Sequence, residues 1–156
     1  MGEGVAAFMK AHYLGHVVFY VQDLKRSLAF YRDLLGFKEV GRIFDGQAAA
    51  LTSGRTHHEL LLIEVGAVPD PPPGRRRGLY HIGIKIGDSL DELRVAKREL
   101  EEAGVAITGM SDHTVSQSLY LADPDGNEVE LYVDADPAVW QKDPAAVLSP
   151  IKPLRL

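Results

Sequence analysis

The sequence predicts an α+β fold built from two tandem modules, each with the element order β-α-β-β-β. Short β-compatible apolar runs alternate with two longer runs of helical spacing, and the same order occurs twice, each time over about 50 residues. A proline-rich segment, AVPDPPPGRRRG, separates the two occurrences and can hold neither a helix nor a central strand. Any other pairing of the elements would have to account for the same order twice.

The first module covers about residues 14–66. Its first strand is expected at residues 16–21 and its helix at residues 24–35, where apolar residues recur every three or four positions between a cap at Asp23 and Gly36. Turn dipeptides, Asp45-Gly46 and Ser53-Gly54, then separate three further strands. These strands are expected at residues 37–43, 48–52 and 59–65.

A linker over residues 67–78 leads to the second module, residues 79–134, which repeats this order. Residues 80–86 predict a strand, and either Asp88 or Ser89 can cap a helix that runs to Ala103 before Gly104. The later strands are expected at Ile107, at residues 116–121 and at residues 128–133, with the turn DPDG between the last two. Residues 135–156 are expected to form an ordered or partly ordered tail anchored by Trp140.

Length and composition predict one compact domain, because 156 residues with 46% apolar content can build a core. Lys and Arg total 17 against 22 Asp and Glu, and no basic run is long enough to neutralise a row of phosphates, so nucleic acid is not an expected partner. The absence of cysteine excludes disulfides, thiolate zinc sites and thiol nucleophiles.

The sequence also predicts a cytoplasmic protein with no membrane partner. The first fifteen residues lack a basic start followed by a sustained apolar stretch. No later run approaches the roughly 18 apolar residues that a membrane-spanning helix requires.

Three candidate metal ligands lie on three separate predicted strands. His16 and His81 each open a strand, and Glu130 lies in the segment NEVELY, where strand alternation places it on one face with Glu128 and Tyr132. Two imidazoles and one carboxylate leave about half the positions of a six-coordinate ion free, which suits Fe(II) working on O2 and a chelating substrate. The pattern therefore favours a metal enzyme.

Four segments resemble the vicinal oxygen chelate superfamily, which includes glyoxalases, certain epimerases, antibiotic-resistance proteins and extradiol ring-cleaving dioxygenases. They are GHVVFYVQDLKRSLAFYRDLLGF, RTHHELLLIE, GLYHIGIKI and SDHTVSQSLYLADPDGNEVELY, and the resemblance extends over about residues 14–134. It implies that the two modules form one half-open mixed β-barrel with flanking helices. It also implies metal ligands at His16, His81 and Glu130.

Within the superfamily, the sequence is most similar to single-domain catechol 2,3-dioxygenase-like proteins of aromatic catabolism. The ring-cleaving members carry two further histidines and a tyrosine, which match His58, His113 and Tyr120. The resemblance implies an extradiol dioxygenase that uses Fe(II), or alternatively Mn(II), to cleave a small aromatic diol with O2. His113 and Tyr120 would hydrogen-bond the substrate oxygens and His58 would transfer protons. Family habit and exposed sheet edges favour a homodimer.

Other interpretations of the sequence stay open. Glu59 can be aligned with a glutamate ligand of glyoxalase-like members, and a fourth ligand would favour Zn, Ni or Co in a glyoxalase- or epimerase-like lyase or isomerase. A non-catalytic protein that sequesters a ligand is the third hypothesis. His57 and His58 cannot both face inward, because neighbouring residues on a strand point to opposite sides; His58 is taken as the site histidine, with His57 as the alternative.

Overall fold

The computed structural model describes residues 9–156. Contacts between Cα atoms divide the chain into unit 1, which ends at Ala67, and unit 2, which covers Val68–Leu156. Each unit contains one mixed sheet. None of the helices in the described range is long and apolar enough to cross a bilayer.

Unit 1 has the order β-α-β-β-β. Its strands are β1 (Val17–Val21), β2 (Lys38–Ile43), β3 (Ala48–Thr52) and β4 (Leu60–Glu64). Its helix α1 (Leu24–Leu28) continues directly into a π-helical segment (Ala29–Leu34). The sheet has the strand order β1-β4-β3-β2, with β1 parallel to β4.

The helix of unit 1 begins and ends where the sequence predicts, but its second half is not α-helical. The Asp23 side chain accepts a hydrogen bond from the Arg26 backbone N–H at 2.9 Å, and Gly36 follows the helix with φ of +82°. In the π-helical segment, the neighbouring Phe30 and Tyr31 are both buried. A π-helix has more residues per turn than an α-helix, so consecutive side chains such as Phe30 and Tyr31 point in more similar directions. This allows both side chains to be buried on the same side of the helix.

Unit 2 repeats the order of unit 1. Its elements are β5 (His81–Gly87), α2 (Leu90–Glu102), β6 (Ile107–Asp112), β7 (Ser116–Ala122), β8 (Glu128–Asp134), α3 (Ala138–Lys142), a 3-10 helix (Pro144–Leu148) and β9 (Lys152–Pro153). The sheet has the strand order β5-β8-β7-β6-β9, so the first four strands occupy the same relative places as β1-β4-β3-β2. This order confirms the predicted α+β class with two β-α-β-β-β modules.

A capping box begins helix α2 and resolves the choice between Asp88 and Ser89 in favour of Ser89. Ser89 Oγ accepts from the Glu92 N–H at 3.3 Å, and Glu92 Oε2 accepts from the Asp88 N–H at 2.8 Å. Gly87 leaves the space for this return contact, since a Cβ at that position would lie 2.5 Å from Glu92 Cδ.

The two faces of the unit 2 sheet differ in chemistry. Helix α2 packs on β5, β6, β7 and β8, and the strand residues on that side are buried and apolar. Among them are Leu119, Leu121, Val129, Leu131 and Val133. Strand alternation therefore places Glu128, Glu130 and Tyr132 on the opposite face of β8.

Candidate metal centre

His81 of unit 2 lies between two carboxylates of the neighbouring strand β8. His81 Nδ1 is 2.9 Å from Glu128 Oε2, and His81 Nε2 is 3.1 Å from Glu130 Oε2. The parallel pairing of β5 with β8 produces this arrangement, because it sets His81 opposite Glu128 and Gly83 opposite Glu130. The side chains of His81 and Glu130 keep 27% and 15% of their surface exposed, so the pair is accessible from solvent.

The arrangement suits a cation. A histidine that donates one ring N–H to a carboxylate presents the lone pair of its other nitrogen, which is how metal-bound imidazoles are commonly oriented. With Nδ1–H donated to Glu128, the His81 Nε2 lone pair faces a carboxylate oxygen of Glu130. Two such atoms repel each other unless a proton or a metal ion lies between them, so the donor set fits a divalent metal.

The second oxygen of Glu130 is held by two hydroxyl groups. Ser118 Oγ donates to Glu130 Oε1 at 2.6 Å, and the Tyr120 hydroxyl donates to the same oxygen at 3.1 Å. Ser118 is fully buried. These contacts fix the orientation of the carboxylate and leave its Oε2 atom directed at His81.

His113 extends this group into a chain of hydrogen bonds. Its Nε2 atom lies 2.6 Å from the Tyr120 hydroxyl oxygen, and because that hydroxyl donates to Glu130, His113 is the donor of this bond. Burial, together with the nearby Glu130 charge, raises the pKa of Tyr120 to about 12. The phenol is therefore neutral near pH 7 and keeps a proton that it can donate.

Gly83 lies beside the Glu130 carboxylate. An added Cβ at Gly83 would lie 3.6 Å from Glu130 Oε2 and 3.4 Å from Tyr132 Cε1, in van der Waals contact with both side chains.

His113 lies in the turn between β6 and β7, beside Thr114, whose φ of +72° is unfavourable for a β-branched residue. The buried Thr114 Oγ1 makes no hydrogen bond within residues 9–156.

A cluster of histidines lies in unit 1. The rings of His16 and His58 are 4.5 Å apart, and His57 Nδ1 lies 2.6 Å from His58 Nδ1. Partial burial lowers the pKa of His58, and the neighbouring His16 and His57 lower it further. His58 is therefore neutral near pH 7 and can accept a proton.

Neither His57 nor His58 lies on a strand, contrary to the expectation that their side chains point to opposite sides of β4. Strand β4 begins at Leu60, so both histidines precede it and the alternation of side chains along a strand does not apply to them. Their rings lie side by side, with centroids 4.6 Å apart. His16 likewise immediately precedes β1, which begins at Val17.

Glu59 has a local role in the turn before β4. Its carboxylate accepts hydrogen bonds from the Ser53 N–H at 3.0 Å and the Ser53 hydroxyl at 2.5 Å, and Arg55 lies 3.6 Å away. Burial alone would raise the pKa of Glu59, but the hydrogen bonds from Ser53 outweigh it and hold the pKa below its usual range.

The pairing registers of the two sheets show which positions correspond between the units. Val17 pairs with Leu60 in unit 1, and Ile82 pairs with Val129 in unit 2. Position 16 thus corresponds to 81, position 59 to 128 and position 61 to 130. Glu59 corresponds to Glu128 rather than to Glu130, and the position that corresponds to Glu130 holds Leu61, which has no ligand atom.

Four of the predicted site residues lie together in unit 2, namely His81, His113, Tyr120 and Glu130, while His16 and His58 are neighbours in unit 1. Within neither unit do three His, Asp or Glu side chains of the described residues form a group that could hold a metal ion by themselves. The sequence interpretation assigned no role to Glu128 or Ser118. Glu128 shares a strand face with Glu130, which was a signal that could have identified it.

Sequence comparison assigns the chain to a family. The model of the Glyoxalase/Bleomycin resistance protein/Dioxygenase superfamily matches residues 13–131. The chain belongs to this superfamily, as the four resembling segments predicted.

Two curated relatives and one solved structure illustrate the similarity. The chain is 39% identical over 132 residues to Catechol-2,3-dioxygenase of Bacillus subtilis, which covers 84% of this chain and 45% of the relative. It is 30% identical over 121 residues to Virulence protein STM3117 of Salmonella typhimurium, which covers 76% of this chain and 81% of the relative. The chain thus spans less than half the length of the Bacillus subtilis relative.

The solved structure is a glyoxalase/dioxygenase from Nostoc punctiforme. It superposes with a TM-score of 0.72 at 21% identity, covering 87% of this chain and 100% of that chain. This likeness supports the fold.

Proposed function

We propose that this chain is a metal-dependent extradiol dioxygenase that opens a catechol-type aromatic ring with O2. The observation that carries the proposal is the hydrogen-bonded series His113, Tyr120 and Glu130 beside His81. It combines two metal-ligating groups with two hydrogen-bond donors, as a bound diol requires. The similarity to Catechol-2,3-dioxygenase of Bacillus subtilis supports the same chemistry.

His81 and Glu130 would hold the metal, and the sequence resemblance proposes His16 as the third ligand. When bound, Fe(II), or alternatively Mn(II), would accept both diol oxygens and O2 and couple electron transfer between them. Glu128 would keep the His81 ring in the orientation that presents Nε2. Ser118 would keep Glu130 from rotating away.

Tyr120 and His113 would act on the substrate oxygens. The His113 imidazole and the Tyr120 hydroxyl each carry a proton in the hydrogen-bonded series that ends at Glu130, and a positioned donor stabilises negative charge that develops on a diol oxygen. His58, whose lowered pKa keeps it neutral, is proposed to accept and return a proton during ring opening. The proposed assembly is a homodimer.

The contacts of Glu59 favour this proposal over the glyoxalase- or epimerase-like alternative. That alternative needs a fourth ligand from unit 1. Glu59 is already engaged by Ser53, and Leu61 stands at the position that corresponds to Glu130.

The direct test is to load the purified chain with Fe(II) under anaerobic conditions and then add catechol and O2. We expect consumption of one O2 per catechol and formation of a yellow ring-opened semialdehyde. Retention of zinc or nickel, with neither O2 uptake nor yellow product after iron loading, would overturn the proposal.

His113→Phe tests the substrate-binding role in the same assay. We expect the iron content to stay unchanged and kcat/KM for catechol to fall by about 10²-fold, the lower range for loss of a positioned proton-transfer group. His12→Phe, which removes an exposed imidazole outside the group described above, is the matched control. Equal kinetics for the two variants would remove His113 from the site.

A further inference from the structure

His57 and His58 share a hydrogen bond that involves the same ring atom of each residue. His57 Nδ1 lies 2.6 Å from His58 Nδ1, and the two ring centroids are 4.6 Å apart. A neutral imidazole carries its proton on one ring nitrogen and a lone pair on the other. One of the two Nδ1 atoms must therefore donate and the other must accept, so the two neutral rings have opposite tautomers.

Opposite tautomers give the two Nε2 atoms opposite properties. The ring that donates from Nδ1 presents a lone pair at Nε2, and the ring that accepts at Nδ1 carries a proton at Nε2. Within residues 9–156, neither Nε2 atom makes a hydrogen bond to another side chain. The pair can thus take up a proton at one Nε2 atom and release a proton from the other.

The two rings have different surroundings. The His58 side chain is half-buried, and its ring lies 4.5 Å from the ring of His16, the histidine proposed as a metal ligand. His57 is exposed to solvent. The short bond between the two Nδ1 atoms therefore connects a ring beside a proposed metal ligand with a ring in contact with water.

We propose that His57 relays protons between His58 and solvent. The proposal rests on the proposed dioxygenase function, in which His58 accepts a proton from the diol. As His58 Nε2 binds the proton that a diol oxygen loses, the His58 Nδ1 proton passes to His57 Nδ1, and the His57 Nε2 proton leaves to water. Both rings are neutral before and after this sequence, and their tautomers are exchanged. The reverse sequence returns a proton to the substrate.

The shared hydrogen bond can be tested without metal or turnover. Long-range proton–nitrogen NMR spectra of the metal-free chain distinguish a protonated ring nitrogen from one with a lone pair, and His57→Phe and His58→Phe assign the signals. At a pH of about 8.5, roughly two units above the ordinary histidine pKa of about 6.5, free imidazoles are neutral. We expect a proton on Nδ1 in this pair. Protonation of Nε2 alone in both rings would overturn the proposal.

His57→Phe tests the relay in the iron-loaded protein. We expect kcat for catechol to fall about tenfold, less than the roughly 10²- to 10⁴-fold range for loss of a proton-transfer group itself, because His58 stays in place and loses its path to water. Iron content and KM should be unchanged. His12→Phe removes another exposed imidazole and is the matched control. A kcat for His57→Phe equal to that of His12→Phe would overturn the relay.

A diffusible base distinguishes a relay from a structural role of His57. The base 1,2-dimethylimidazole can carry protons between His58 and water, and the methyl group next to its free nitrogen hinders metal binding. We expect it to restore kcat of His57→Phe in a saturable manner and to leave kcat of the wild type unchanged. A loss of kcat that the base does not restore would overturn the relay.

The outcomes separate this proposal from the function on which it rests. A protonated Nδ1 in the metal-free pair, without ring cleavage by the iron-loaded wild type, would overturn the dioxygenase function and support the shared proton path. Ring cleavage by the wild type, together with an unchanged kcat for His57→Phe, would support the function and overturn the relay.

Discussion

The two units share one topology but carry different chemistry at corresponding positions. Each has a histidine just before or at the start of its first strand, His16 in unit 1 and His81 in unit 2. In unit 2 that histidine is held by Glu128 and faces Glu130, whereas the corresponding positions of unit 1 hold Glu59, which binds the Ser53 turn, and Leu61. The repeated fold therefore provides corresponding strand positions in both units. Only in unit 2 does the residue at the position of Glu130 carry a carboxylate that faces the histidine.

The largest expected effect comes from removing the two corresponding histidines. His81→Ala should reduce iron retention and ring cleavage to background, because it removes a proposed ligand atom and the imidazole that lies between Glu128 and Glu130. His16→Ala should do the same if unit 1 supplies the third ligand. Iron content and catechol turnover measure both, and full yellow-product formation by either variant would refute that histidine as a ligand.

The next largest effect is expected from substitution of the corresponding glutamates, Glu128 in unit 2 and Glu59 in unit 1. Glu128→Gln should lower iron affinity or kcat about 10- to 100-fold, because an amide replaces the carboxylate and weakens the hydrogen bond that orients the His81 imidazole. Glu59→Gln is the matched change in unit 1 and should leave iron affinity and kcat unchanged, because Glu59 binds the turn instead. A loss from Glu59→Gln as large as that from Glu128→Gln would show that the two units do not differ in this way.

A smaller effect is expected from substitutions in the corresponding hairpin turns, between β2 and β3 in unit 1 and between β6 and β7 in unit 2. Thr114 in unit 2 and Asp45 in unit 1 both have positive φ, +72° and +53°, but only threonine is β-branched. Thr114→Asn should raise the free energy of unfolding by about 1 kcal/mol, because asparagine tolerates this backbone conformation. Asp45→Asn should change the free energy of unfolding by only a few tenths of a kcal/mol, and denaturant unfolding measures both variants. Destabilisation by Thr114→Asn would show that the threonine is not strained.

The smallest effect concerns the helix starts. Glu92 completes a capping box in unit 2, whereas unit 1 has Arg26 at the same place in its helix. Hydrogen bonds from Asp88 and Ser89 lower the pKa of Glu92, so its charge stabilises the fold above the unfolded value of about 4.3 and this contribution disappears as pH falls through the folded value.

Glu92→Gln removes that titration and keeps a hydrogen-bonding side chain. The stability difference between wild type and variant should therefore favour wild type at pH 7 and shrink toward pH 3. Denaturant unfolding at both pH values measures it, and a difference that stays constant would contradict the role of the Glu92 charge.

The element order could be predicted because it depends on local signals. Asp23, Gly36 and Gly104 mark helix boundaries, and the alternation in β8 places Glu130 and Tyr132 on one face whatever the strand pairing is. The π-helical turn around Phe30 and Tyr31 could not be predicted, since it depends on which side chains the rest of unit 1 buries.

Other features depend on the register between strands. Because β4 begins only at Leu60, His57 and His58 precede the strand and their rings lie side by side. The register of β5 against β8 places Glu128 beside His81. A pocket of about 400 Å³, lined by Tyr132 and Trp140 among other residues, depends on where the C-terminal segment returns to the sheet. Hydrophobic periodicity carries no information about any of these contacts.

The short strand β9 has a practical consequence for handling the protein. Lys152 and Pro153 pair with Asp112 and Ser111, and so cover part of β6 at the side of the sheet away from β7. Trimming the polypeptide after Leu148 would leave those amide and carbonyl groups available to strands of other molecules, a recognised route to self-association.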